Sequence, residues 1–201
     1  MLLVKSQYKV ARRLGAGVFE KTQSQKFSLS EANTKKPRGR APSDYGRQLI
    51  EKQKVRFTYG LSERQLSNYA HTAFKEKDPS AALNIALEMR ADSAVYRAGL
   101  ASTRRAARQI VSHGHILING VRIKTPSYHV HPGDVITVRE GSRTSPLFAS
   151  LAEVNPESGR AVPSWIVADQ KLLRAEIKDE PTYNSVDMGL DYPTVFEFYS
   201  R

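Results

Sequence analysis

The stretch from Arg90 to Ile123, RADSAVYRAGLASTRRAARQIVSHGHILINGVRI, restricts the fold more than any other. Ser102 and Thr103 stand before a helical run, where a hydroxyl satisfies the free amides of a first turn. Ala107, Ile110 and Val111 recur at helical spacing and share one apolar face. Arg104, Arg105 and Arg108 fall on another. Gly114 ends the helix, because glycine tolerates a left-handed cap. Ile116 to Ile118 reads as a strand, Asn119-Gly120 as a type I′ turn, and Val121 to Ile123 as the returning strand. Such a unit buries an apolar stripe on a small sheet and turns three guanidiniums outward. The guanidinium fork matches phosphate geometry. The blander alternative is a solvated basic face beside an ordinary hairpin.

Charge distribution favours the first reading. Residues 1–56 hold 14 basic and 4 acidic side chains, residues 90–143 hold 9 and 3, and residues 157–201 hold 5 and 8. Two basic zones on a neutral-to-acidic body, with a net charge of +11, call for an acidic partner, and nucleic acid is the commonest. The 201 residues suffice for one large or two small cores. With no cysteine, disulfides and cysteine-based zinc sites are excluded, which fits a reducing compartment. The apolar run Met1 to Val4 is too short for a signal or a membrane span. No acid precedes Glu20, a trait shared with organellar transit peptides.

Taken in order, residues 1–42 form a basic arm with a short helical turn at KVARRLG. Arg12 and Arg13 sit in that turn. Lys35, Lys36, Arg38 and Arg40 follow among prolines and glycine. The arm has too little apolar period to order itself and is expected to be mobile when free. Ser43-Asp44 starts a helix carrying Tyr45, Arg47, Lys52, Lys54 and Arg56, which Gly60 breaks. Tyr45 either stacks on a base or packs. A second helix spans Leu61 to Lys77, with Leu66, Tyr69, Ala70 and Phe74 on a buried stripe. A third opens at Pro79 and runs to Arg90. Tyr96 and Leu100 belong to the core. Ser127 to Val130 reads as a short strand, His131-Pro132-Gly133-Asp134 as a turn, and Val135 to Val138 as the strongest strand. Residues 140–164 read as a loop. Trp165 with Ile166-Val167 suggests a strand, and Asp169 to Ile177 a helix with Leu172 and Leu173 inward. The aromatic, uncapped end YPTVFEFYSR is expected to dock on the helical part.

The histidine pairs His113/His115 and His129/His131 admit a metal reading, since imidazole suits zinc. The stronger alternative is hydrogen bonding to phosphate or at a helix C-terminus, so no metal is assigned. There is no G-x-x-x-x-G-K loop, G-x-S-x-G elbow or H-E-x-x-H. Asp92, Asp134 and Glu140 are too scattered for a paired-carboxylate role. Nothing calls for an enzyme or a cofactor.

Three blocks carry a family resemblance: SDYGRQLIEKQKVRFTYGLSERQLSNY from Ser43, the Arg90 stretch, and TPSYHVHPGDVITVRE from Thr125. With the terminal FEFYSR, they make the chain similar to the bacterial-type small-subunit ribosomal protein S-four family. The resemblance implies an α+β fold: a mostly helical domain at 43–90 completed by 185–201, a small α/β RNA-binding module inserted at 91–184, and the flexible basic arm at 1–42. It also implies binding to the 5′ domain of small-subunit rRNA, nucleation of subunit assembly, contact with neighbouring ribosomal proteins that affects decoding accuracy, and nearness to the channel by which mRNA enters. The expected location is the ribosome, cytoplasmic or organellar, with no membrane.

The residues matching the family's RNA face are Arg47, Lys52, Lys54, Arg56, Arg97, Arg104, Arg105, Arg108, Ser112, His113 and His115; Thr103 and Lys124 are added to that set with the arm cations. Ala91 stands where the family usually has leucine, and Ala94 and Ala98 are also small. The rivals are an RNA-modifying enzyme and a free-standing regulatory RNA-binding protein carrying the same module.

Overall fold

The computed structural model describes residues 4, 6–32, 43–148, 161–169, 171–184 and 189–200. The chain is an α+β fold with two compact units, Met1–Leu83 with Tyr183–Arg201, and Asn84–Thr182.

In the first unit, helix α1 (Gln7–Leu14), two 3-10 turns (Ala16–Val18 and Glu20–Thr22) and helix α2 (Gln25–Ala32) precede the longer α3 (Asp44–Thr58). The expected mobile arm is thereby corrected over residues 6–32. Ala11, Leu14, Val18, Phe19 and Phe27 form a small core of their own. Ala11, Leu14 and Val18 keep helical spacing, but Phe19 and Phe27 fall outside it because the chain turns twice between α1 and α2, so periodicity does not reveal the whole set. Lys35, Lys36, Arg38 and Arg40 lie outside the described residues.

Helix α3 is capped by Ser43, whose side chain accepts from the Gly46 amide. Helix α4 (Glu63–Ala73) is shorter at both ends than the expected Leu61 to Lys77; its start is set by a reciprocal capping box of Ser62 and Gln65. Leu66 and Ala70 are buried, whereas Phe74 is 41% exposed, its ring edge-on to Phe196 at 4.6 Å. Helix α5 (Pro79–Glu88) starts on Asp78, which accepts from the Ser80 and Ala81 amides. It stops short of Arg90, whose extended backbone caps the next helix instead.

The second unit holds α6 (Ala91–Arg97), α7 (Arg104–Ser112), the helical turn α8 (Glu140–Arg143) and five strands. These are β1 (Ile116–Ile118), β2 (Val121–Ile123), β3 (Val135–Val138), β4 (Ile166–Asp169) and β5 (Arg174–Ile177). The order is β2-β1-β3-β5-β4, every pair antiparallel. Asn119 (φ 51°) and Gly120 (φ 79°) turn β1 into β2 as a type I′ turn requires. Buried Ile116, Ile118, Ile136, Val138, Ala175 and Ile177 share one core with Ala107, Ile110 and Val111 of α7. Ala91, Ala94 and Ala98 are fully buried in that core, which also holds Tyr96, Phe148 and Trp165.

Three expectations are corrected here. Asp169 to Ile177 is a hairpin, not a helix: Asp169 accepts from the amides of Lys171 and Leu172, Leu173 adopts φ 50°, and β5 alternates exposed and buried. Leu173 points inward, but Leu172 is 61% exposed. Ser127 to Val130 contributes only an isolated bridge between Arg90 and His129. The 140–164 loop begins with α8 and buries Phe148 completely; residues 149–160 lie outside the described ones.

The C-terminal helix, here α9 (Tyr192–Tyr199), packs on α3 and α4. It is capped after all, by Asp191 accepting from the Thr194 amide, with Pro193 in its first turn.

Candidate nucleic-acid interface

Helix α7 has the predicted ends. Thr103 Oγ1 accepts from the Ala106 amide at 3.0 Å, and Gly114 stops the chain at φ 70°. Its arginines do not all point outward, however. Arg105 is exposed, but Arg104 folds back: its guanidinium donates to Glu88 Oε1 at 2.9 Å and to Ser93 Oγ at 3.2 Å, and lies 4.6 Å from the Tyr96 ring centre. Arg97 grips the same carboxylate from α6, with Nε 2.7 Å from Oε2 and Nη2 2.8 Å from Oε1. Glu88 is 1% exposed.

A second buried acid repeats the device. Asp92 accepts two bonds from Arg90 at 2.9 and 2.8 Å, and Arg108 lies 3.8 Å away. Buried carboxylates demand such partners, because an unpaired charge there is very costly. Sequence spacing cannot show this: Glu88 and Arg104 sit on helices that meet only once the unit folds. Asp92, dismissed as scattered, is therefore a holder of cations.

Arg122, missing from the expected set, returns on β2 over the end of α7. It donates to the Gly114 carbonyl at 2.8 Å and the His113 carbonyl at 3.1 Å. A cation there satisfies terminal carbonyls and suits the helix dipole. The Asn-Gly turn is the signal that finds it, since a two-residue hairpin fixes which β2 residue faces back. His115 contacts Ser142 Oγ through Nδ1 at 2.9 Å. Burial and the neighbouring charges of His113, Arg139 and Arg122 hold its pKa below the ordinary histidine value. Ser112, His113 and Lys124 are exposed, and Ser112 Oγ donates to the Arg108 carbonyl. The rings of His113 and His115 lie 5.9 Å apart and those of His129 and His131 5.0 Å. Among the described residues, no group of three or more metal-ligating side chains comes together.

In the first unit, Arg12 and Arg13 are exposed on the last turn of α1. On α3, Tyr45 is half exposed and tilted against Phe198, and Arg47 pairs with Asp44. Lys54 pairs with Glu51. Lys52 departs from the expected surface role. It is 5% exposed, with Nζ 2.8 Å from Glu63 Oε1 and 4.3 Å from the Phe198 ring centre. Arg56 donates to the Leu61 carbonyl and approaches Glu63 Oε2 at 3.7 Å. Tyr199 donates to Glu63 Oε1 at 2.9 Å, tying α9 into the same network. Burial pushes the Glu63 carboxyl up, but the bonds from Lys52 and Tyr199 and the charges of Lys52 and Arg56 outweigh it and leave its pKa lowered.

Residues 3–88 match the Ribosomal protein S4/S9 N-terminal domain, and residues 89–136 match the S4 domain. Among similar proteins, the small ribosomal subunit protein uS4 of Persephonella marina is 38% identical over 197 residues, covering 96% of this chain and 95% of its own length. The chain belongs to the uS4 family. The uS4 of Lachnospira eligens is 42% identical over 164 residues, covering 81% of this chain and 82% of its own. That of Streptococcus pyogenes is 44% identical over 161 residues, covering 79% and 77%. The S4-domain match at 89–136 spans α6, α7, the β1–β2 hairpin and the start of β3, together with Arg97, Arg104, Arg105 and Arg108.

Proposed function

We propose that this chain is a structural constituent of the small ribosomal subunit and binds small-subunit rRNA directly. The observation that carries the reading is the α6–α7 arginine set fixed on buried Glu88 and Asp92, within the stretch matching the S4 domain. Guanidiniums locked by a folded core meet phosphates with little ordering cost, so the array favours a structured polyanion over a flexible one. The protein acts by binding and not by turnover. Phosphate contacts position it, and the shape of the folded RNA supplies specificity.

The contacting side chains are Arg97, Arg105, Arg108, Ser112, His113, His115 and Lys124 in the second unit, with Arg104 held close behind. In the first they are Arg12, Arg13, Tyr45, Arg47, Lys54 and Arg56, with the arm cations Lys35, Lys36, Arg38 and Arg40. Lys52 serves the fold. Thr103 serves the helix end. The RNA target is the 5′ domain, bound early enough to nucleate assembly, with neighbouring small-subunit proteins and incoming mRNA as further contacts that influence accuracy. The protein resides in the ribosome. The helical part lies in the first compact unit and the RNA-binding module in the second.

Binding to a 5′-domain transcript, against an equal length of unrelated structured RNA over a salt series, tests this. Preference that survives moderate salt is the expected result. Equal binding that collapses with salt overturns the assignment.

A further inference from the structure

Within the first unit, a groove of about 420 Å³ runs between α1 and α3. Its apolar lining includes Leu49, Ile50 and Phe57, none of which is fully buried. Its charged lining is Lys9, Arg13 and Arg56, and no acid lines it. Lys9 and Arg13 are exposed and lie one helical turn apart on the same face of α1. The Arg56 guanidinium sits 5.7 Å from the Phe57 ring centre, and that ring is held edge-on by Phe19 at 6.2 Å.

The groove sets the partly buried Leu49, Ile50 and Phe57, two of which also pack on the N-terminal core, beside exposed cations of the most basic helix of the unit. A ligand that suits it has a flat apolar face and negative charge beside it. A nucleotide has both, and its volume class matches pockets of this size. A protein or membrane partner with apolar character alone leaves the exposed cations Lys9 and Arg13 unmatched, Arg56 already having Glu63 at 3.7 Å. From this charge complementarity we infer that the α1–α3 groove seats one unstacked nucleotide of the bound RNA. The base lies against Leu49, Ile50 and Phe57, and its flanking phosphates meet Lys9, Arg13 and Arg56. Recognition of unpaired bases by aromatic and guanidinium planes is a common RNA-binding mode. The inference rests on the proposed rRNA binding and adds a base-reading subsite to it.

The full-length protein and a 5′-domain rRNA transcript provide the test. Gln53 also lines the groove, so Gln53→Trp fills it. The variant is expected to bind about tenfold more weakly at every salt concentration, with the slope of log affinity against log salt unchanged, because base stacking carries no counterions. Lys9→Ala with Arg13→Ala is expected to flatten that slope by about one to two. A photo-crosslinker at Leu49 is expected to attach to one nucleotide. Wild-type affinity in Gln53→Trp overturns the groove, as does crosslinking to scattered nucleotides, to none, or to a neighbouring protein in assembled subunits. If Gln53→Trp does not fold, the crosslink decides alone. If the wild type shows no preference for the transcript, the rRNA reading fails, which is a separate result.

Discussion

Arg104 and Glu88, sixteen residues apart in the chain, meet at 2.9 Å in a place where Glu88 is almost wholly removed from water. Arg97 holds the other side of the same carboxylate. Glu88→Ala leaves two guanidiniums partly buried without their acceptor. It is expected to destabilise the second unit by about 3–5 kcal/mol, seen as a lower midpoint in urea. A loss below 1 kcal/mol indicates that water replaces the carboxylate.

Arg104 and Arg105 are neighbours with different duties. Arg105→Ala, at an exposed position, is expected to change stability by no more than about 0.5 kcal/mol while flattening the rRNA salt slope by about 0.9. Arg104→Ala is expected to lower stability as well, since it strips Glu88 of one partner. Equal effects of the two substitutions on melting temperature refute the distinction.

Gly114 is required twice. Its φ of 70° is a left-handed conformation, and an added Cβ meets the Arg122 guanidinium. The side chain can move, but only by giving up its bonds to the His113 and Gly114 carbonyls. Gly114→Ala is expected to cost about 1–2 kcal/mol from backbone strain alone. Hydrogen exchange at the end of α7 should rise in the variant, and unchanged protection there argues against the Arg122 seat.

Acid acts on the two units through different groups. Glu63 has a lowered pKa when folded, so its stabilising effect is complete above the unfolded value of 4.5 and is lost as pH falls through the folded value. The docking of α9 on α3 and α4 is therefore expected to weaken below about pH 4.5, and Glu63→Gln to remove that dependence. Fluorescence of a probe on α9 reports it.

His115 and His129 are also depressed, each first by burial and then by a neighbouring histidine. Their contribution is present above the ordinary histidine value and is lost as pH falls through the lower folded values. The melting temperature of the second unit is expected to begin falling just below pH 6.5, and less steeply in the His115→Asn, His129→Asn double variant. A flat profile in the wild type contradicts it.

Local signals were enough for much of this. Thr103 and Ser43 mark helix starts because a hydroxyl finds its amide within three residues. Asn119-Gly120 marks its turn because few residue pairs accept two positive φ angles. The 169–177 segment misled because Leu172-Leu173 mimics a helical pair, while the decisive bonds come from one side chain, Asp169. The N-terminal core escaped because Phe19 and Phe27 do not continue the helical spacing of Ala11, Leu14 and Val18. Arm residues 33–42 lie outside the described part.

By itself, the sequence determined the family, the charge segregation, the β1–β2 and β3 strands, the ends of α3 and α7 and the start of α5, all of which depend on residues close together or on composition. Tertiary structure alone decided which cations remain at the surface. Lys52 and Arg104 look no different in sequence from Lys54 and Arg105, yet Glu63 and Glu88 draw the first pair inward. A buried carboxylate selects its partner by distance in the folded chain, and that distance has no counterpart in residue number.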